Sequence, residues 1–251
     1  MIYFQDRGNG PRILVLIHGF CENQQIWDDV AATLARKHRV LTLDLPGFGK
    51  SDSLPDGFGL NEVAAALWQW VETMQLARPV VVGHSLGGYV ALAMAEQQRH
   101  ALGGLVLFHS TAAADSPEKK ENRNKVIDFV KRNGVDPFID SFVPALFARP
   151  DHPAVATAEK ICRATKQETL LAYTAAMRDR PERLNLLANL ESPVLLLAGA
   201  RDAIVPLASL QKQAETLKNG HLDELEGVGH MGMFEAPDQS CRALDRFMAS
   251  Q

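Results

Sequence analysis

An α/β fold built on a mostly parallel sheet is predicted by three features of this 251-residue chain. Strand-like runs, most of them short, apolar and rich in Val, Leu and Ile, recur near residues 2–6, 12–17, 39–43, 79–84, 104–109, 193–198 and 221–226. The apolar ones are continuous rather than alternating, as in strands covered on both faces. Between them lie stretches of helix-like sequence at 24–36, 60–74, 86–98, 207–217 and 237–249. The third feature is an interval, residues 110–189, in which the strand pattern stops.

Seven strands are therefore expected. Residues 2–6 belong at or near one sheet edge and antiparallel to their neighbour, because the short Gly8-Asn9-Gly10 link to the strand at Ile13 leaves no room for a parallel crossover. The interval 110–189 carries helical spacing in Val126, Ile127 and Val130, in Phe138, Phe142 and Leu146, and in Leu170, Tyr173 and Met177. Gly134, Pro150, Pro153 and Pro181 punctuate it. It reads as an all-helical cap inserted into a core made of residues 1–109 and 190–251.

One motif carries most of the chemistry. Gly83-His84-Ser85-Leu86-Gly87 joins an apolar strand to a helix, so Ser85 sits at a sharp turn. Flanking glycines are needed there because a Cβ would collide with the neighbouring strand and helix, and the strained turn holds the hydroxyl outward. Downstream, the strand 193–198 runs into Gly199-Ala200-Arg201-Asp202, and the strand 221–226 delivers Gly227-Val228-Gly229-His230. A serine is a poor nucleophile until an imidazole takes its proton, and that imidazole needs a carboxylate to fix its tautomer. Ser85, His230 and Asp202 fit those three roles, each on a loop after a strand. Asp223 and Glu226 are also near His230 in sequence, but they belong to the preceding strand.

With these motifs the chain resembles the α/β-hydrolase superfamily, in the single-domain, cap-bearing group of carboxylesterases, enol-lactonases and carrier-protein methyl ester esterases. The resemblance rests on His18-Gly19-Phe20 with Trp27 beyond, Asp44 to Ser51, Gly83 to Gly88, Gly199 to Pro206 and Gly229-His230. It spans nearly the whole chain, and the order Ser, Asp, His is that of the family's triad. It implies an α/β-hydrolase fold and an oxyanion hole made by the backbone N–H groups of Phe20 and Leu86. Residues 2–6 resemble the family's second strand, so its first is expected to be missing. The substrate pocket should be a mainly apolar cleft between cap and core, with Ser85 at its floor and Phe20, Leu86 and Met231 in its walls. Phe138, Phe142, Phe147, Tyr173 and Met177 are the cap residues that could line it.

Other motifs have plainer readings. Gly49-Lys50-Ser51 ends like a phosphate-binding loop, but the earlier glycine that loop requires would fall at Asp44. The 44–51 segment is instead a turn at the pocket edge. His18 reads as a hydrogen-bonding residue of the oxyanion loop, and His84 as packing or pocket lining. Cys21 reads as a filler beside the site. Three widely spaced cysteines suit reduced thiols, and neither paired-Cys nor H-E-x-x-H spacing suggests a metal.

Composition adds bounds. With 46% hydrophobic residues the chain can bury a full core, and its net charge of −4 offers no basic field for nucleic acid. No apolar stretch is long enough for a bilayer span, and the start of the sequence lacks a signal-like n- and h-region. A cytoplasmic enzyme with no cofactor is expected, acting on a small-molecule ester of small or medium acyl chain. The same apparatus serves lactones, thioesters, carbon–carbon bonds or cofactor-free perhydrolysis. From another class, a slow-turnover ligand receptor can keep the same residues. Serine at position 85 argues against the alkyl-ester chemistry of dehalogenases and epoxide hydrolases. Oligomeric state has no signature in the sequence.

Overall fold

The computed structural model describes residues 1–250. Seven strands form one sheet: β1 (Phe4–Arg7), β2 (Ile13–Ile17), β3 (Arg39–Leu43), β4 (Val80–His84), β5 (Gly104–Phe108), β6 (Val194–Gly199) and β7 (Gly220–Leu225). Their order is β1-β3-β2-β4-β5-β6-β7, and every pair is parallel except β1 with β3. β4 and β5 are buried along their whole length, which explains their unbroken apolar sequence.

β1 lies at the sheet edge and runs antiparallel to its neighbour, as the short link required. That neighbour is β3, with Phe4 opposite Leu43, rather than the β2 strand to which the link leads. The link must therefore pass over the lead-in to β3. A Cβ on Gly10 would fall 2.6 Å from the His38 Cα, so only glycine allows the crossing.

Helices cover both faces: α1 (Asp28–Leu34), α2 (Leu60–Thr73), α3 (Leu86–Gln97), α9 (Leu207–Ala214) and α11 (Pro237–Ala249). A 3₁₀ turn at Gln24–Trp27 precedes α1, so the helix expected from residue 24 begins in tighter form, its N-cap Asn23 accepting the Gln25 N–H. A one-turn helix, α10 (Gly232–Glu235), went unread because it is too short for any periodicity.

Residues 110–189 contain helices and no strand: α4 (Pro117–Asn133), α5 (Asp136–Phe142), a 3₁₀ turn at Pro144–Leu146, α6 (Val155–Arg163), α7 (Gln167–Asp179) and α8 (Leu184–Ala188). This segment seats on loops that follow the C-terminal ends of strands. Thr165 Oγ1 donates to the Cys21 carbonyl, Thr169 Oγ1 to Gly47 and Tyr173 Oη to Pro46, at 3.0, 3.0 and 2.9 Å. Its two ends are tied at the base, where the Arg183 N–H donates to the Ala112 carbonyl at 2.8 Å and Arg180 pairs with Asp115 at 2.9 Å. No helix among the described residues is long and apolar enough to cross a membrane.

Candidate active site

The sharp turn forms where the glycines demanded it. Ser85 has φ 49° and ψ −113°, between the end of β4 and the start of α3. Such a backbone costs a non-glycine residue about 1–3 kcal/mol and persists only when its surroundings impose it. Here the Ser85 N–H donates to the Phe108 carbonyl at 3.0 Å, and its own carbonyl accepts from the Gly88 N–H at 3.0 Å and Ser110 Oγ at 2.7 Å. A Cβ on Gly87 would lie 2.6 Å from the Ile17 and His18 carbonyl oxygens, so α3 can start this close to β2 only with glycine there. Ser85 itself is half-buried.

Asp202 and His230 are brought together from two loops. Asp202 Oδ1 accepts from the Ile204 and Val205 N–H groups at 2.8 and 2.9 Å, and Oδ2 accepts from His230 Nδ1 at 2.8 Å. Burial works against the Asp202 charge, yet the neighbouring His230 and the hydrogen bond from its ring hold the carboxyl well below the usual range. Because a carboxylate only accepts, Nδ1 of His230 carries the hydrogen and Nε2 keeps a free lone pair. The backbone fixes the ring's position, with the His230 N–H donating to Leu146 O at 2.7 Å and His84 Nε2 to His230 O at 2.9 Å. Among the described residues Ser85 Oγ makes no hydrogen bond, to His230 or to any other group. Nucleophile-to-base contacts commonly close only around substrate. The sequence neighbours of His230 play no part, since Asp223 instead pairs with Arg246 at 2.8 Å and Glu226 is exposed.

Two backbone N–H groups stand free beside this turn. Leu86 is the first residue of α3, so its N–H has no intrahelical acceptor. The Phe20 N–H also donates to no group among the described residues. His18 organises the loop that carries Phe20: Nδ1 donates to Gly19 O at 2.8 Å and Nε2 accepts from the Leu45 N–H at 2.9 Å. Burial lowers its pKa, in keeping with a neutral ring. The 44–51 turn is organised by Asp44, whose carboxylate accepts from the Gln24 and Lys50 N–H groups, both at 2.8 Å. Burial pushes the Cys21 thiol up, so it is not an activated nucleophile.

The aromatic candidates divide. Phe138 and Phe142 stack on each other at 4.9 Å and meet the Phe20 ring edge-on at 6.2 and 5.8 Å. Phe147 stacks on His152 at 5.3 Å, in the turn that touches Gly229. Tyr173 turns toward Phe48 and Phe58, at 4.7 and 5.0 Å, beside the 44–51 turn. Met177 and Met231 are buried. A separate cavity of about 690 Å³ lies between the start of α2 with residues 57–59 before it, α4 and α7, and none of its walls is a candidate site residue.

Three residues escaped the sequence reading. His109, with φ 49°, accepts the Gly199 N–H at Nδ1 over 3.1 Å, so its 3.5 Å approach to Asp202 is not an ion pair but a neutral ring beside a carboxylate. Burial lowers its pKa to about 4, and its Nε2 has no hydrogen-bond partner among the described residues. Glu22 is buried against His84 at 3.0 Å. Glu235 accepts three backbone N–H groups, from Gly229 at 3.0 Å, Met231 at 3.1 Å and Ala148 at 2.9 Å. A charged residue inside an apolar loop, as at Glu22, was the one available signal; the His109–Gly199 and Glu235–Ala148 contacts join positions 90 and 87 residues apart.

Comparison with known proteins agrees with this fold. The sequence pattern of the alpha/beta hydrolase family matches residues 14–243. A thermophilic esterase from Thermogutta terrifontis, solved with malate bound, superposes with a TM-score of 0.94 at 30% identity, covering 99% of this chain and 93% of its own. A pimeloyl-acyl-carrier-protein methyl ester esterase from Sodalis glossinidius is 29% identical over 98% of this chain and 97% of its own. The dihydrolipoyllysine-residue acetyltransferase component of an acetoin cleaving system from Pseudomonas putida is 29% identical over 98% of this chain, which spans 66% of that protein's length.

Proposed function

The chain belongs to the alpha/beta hydrolase family and is a hydrolase enzyme; we propose that it cleaves small or medium carboxylic esters through an acyl-enzyme on Ser85. The observation that carries this reading is the conjunction of a strained Ser85 on the β4–α3 turn with a His230 whose Nδ1 is held by Asp202 at 2.8 Å. In this scheme His230 Nε2 takes the Ser85 proton as Oγ attacks the ester carbonyl. The Phe20 and Leu86 N–H groups receive the oxyanion, and each such donor is typically worth about two to three orders of magnitude in kcat. His230 then returns the proton to the departing alcohol, and water repeats the path to free the acid. Asp202 stays ionised throughout, stabilising the imidazolium.

In the same reading residues 110–189 act as a cap over residues 1–109 and 190–251. Phe138 and Phe142, packed against Phe20, form the wall nearest the oxyanion loop. The thermophilic esterase, a structural neighbour at 30% identity, supports the ester class over the lactone, thioester or carbon–carbon alternatives. The substrate is a small molecule handled in the cytoplasm without a cofactor.

The test is turnover of p-nitrophenyl esters from acetyl to decanoyl, run beside lactones and acyl thioesters. Ser85→Ala should lower kcat by about four to six orders of magnitude with the thermal midpoint unchanged. Residual activity within about tenfold of wild type would remove Ser85 from the scheme. Tight ligand binding with turnover near one per hour would identify a receptor instead.

A further inference from the structure

Beneath the Ser85 turn lies a pair of ionisable groups that the scheme above does not use. The Glu22 and His84 side chains are each 1% exposed. Glu22 Oε2 accepts the Gly19 N–H at 2.6 Å and faces His84 Nδ1 at 3.0 Å, while His84 Nε2 faces the His230 carbonyl at 2.9 Å. A carbonyl oxygen can only accept, so Nε2 carries a hydrogen. An ionised carboxylate also only accepts, so Nδ1 carries one too, and the ring that serves both contacts is the imidazolium.

The surroundings favour that assignment. His18 and His109 are neutral by their own hydrogen bonds, each accepting a backbone N–H, and Asp202 is engaged by His230. Burial opposes the charge on both partners, yet their mutual attraction holds His84 above its ordinary pKa and Glu22 below its own. The pair also explains Gly19: a Cβ there would lie 2.6 Å from His84 Nδ1 and 2.8 Å from Glu22 Oε2.

We propose that Glu22 and His84 form a permanently ionised buried pair, acting as positioning residues that lock the Phe20 loop and the His230 backbone in register with Ser85. Three hydrogen bonds make one continuous chain from Gly19, next to the oxyanion donor Phe20, through the residue preceding Ser85, to the main chain of the base. Its catalytic consequence rests on the ester-hydrolase reading; the ionised state of the pair does not.

Glu22→Gln is a sharp test because one oxygen serves both partners. An amide oxygen at that place keeps the Gly19 bond but leaves the imidazolium without a counter-charge, whereas an amide NH₂ there meets the Gly19 N–H donor to donor. Histidine-ring ¹⁵N NMR of the wild type at about pH 8, where an ordinary histidine is neutral, should show His84 protonated on both nitrogens. In Glu22→Gln His84 should turn neutral, and the downfield Nδ1–H resonance of His230 should shift or broaden as its backbone anchor loosens. On the best ester kcat should fall about tenfold or more with KM within about twofold. A neutral His84 in the wild type overturns the pair, whether or not the variant folds. An unmoved His230 resonance, or kcat within about twofold, overturns its positioning role. Absence of any wild-type turnover overturns the ester reading alone, and the ring nitrogens still decide the pair.

Discussion

His109 is a residue whose chemistry departs far from its ordinary behaviour. Burial first, and then the nearby His230 and His84, lower its pKa to about 4 from 6.5, against the pull of Asp202. Between those values the unfolded chain binds a proton at this site and the folded chain does not. Stability therefore falls as pH drops from about 6.5 to about 4, by about 3 kcal/mol in total, and the contribution is fully present above that window. His109→Asn should flatten the decline: the Asn Oδ1 takes the place of Nδ1 toward the Gly199 N–H, tolerates the positive φ, and carries no titration. Thermal midpoints measured across that window check it; an unchanged slope would mean that another group governs acid unfolding. Nothing in the sequence marks this residue, because at the end of an apolar strand a histidine that ligates, catalyses or merely packs looks the same.

At the scale of elements, the loop bearing His230 and the turn before α6 behave as one body through Glu235. Its Oε1 accepts from Gly229 and Met231, and its Oε2 from Ala148, while the His230 N–H reaches Leu146. Glu235→Ala removes all three hydrogen bonds and should cost about 2 kcal/mol, with kcat lowered about a hundredfold as His230 loses its frame. Glu235→Gln keeps an oxygen for the two loop donors and turns its NH₂ toward Ala148, so the loss should be nearer tenfold or less. Urea unfolding and ester kinetics on the two variants separate these effects; equal losses would show that the Ala148 contact alone matters. The elements themselves were legible because each has a local cause. Continuous apolar runs marked the central strands, and the glycines at 83 and 87 marked the β4–α3 turn. α10 was invisible because one turn has no period, and the β1 partner because the link crosses the lead-in to β3.

Across the whole molecule, the helical segment 110–189 is held shut at its base by a buried cluster. Arg180 pairs with Asp115 at 2.9 Å, donates to the Met177 and Ala113 carbonyls, and lies 3.9 Å over the Tyr89 ring, while Arg123 takes the second Asp115 oxygen. Asp115 and Arg180 side chains are 2% and 4% exposed. Arg180→Met leaves a buried carboxylate short of a partner and should destabilise the protein by about 3–5 kcal/mol. Replacing both residues with apolar side chains of similar size should recover much of that. A single-variant loss below about 1 kcal/mol in urea unfolding would show that water reaches the cluster.

By itself the sequence determined the strand count, the sheet's parallel character, the helical nature of 110–189 and the identity of Ser85, Asp202 and His230 as residues on loops after strands. Each of these follows from a periodicity, a glycine pattern or an order along the chain. Tertiary structure alone decided which side chains meet. Only the folded chain brings Glu22 to His84, 62 positions away, and His84 to the His230 carbonyl, 146 positions away. It alone turns Tyr173 toward the 44–51 turn while Phe138 and Phe142 reach Phe20. The physical reason is that backbone conformation is set over a few residues, whereas the charge state and aim of a buried side chain are set by whatever the fold packs against it.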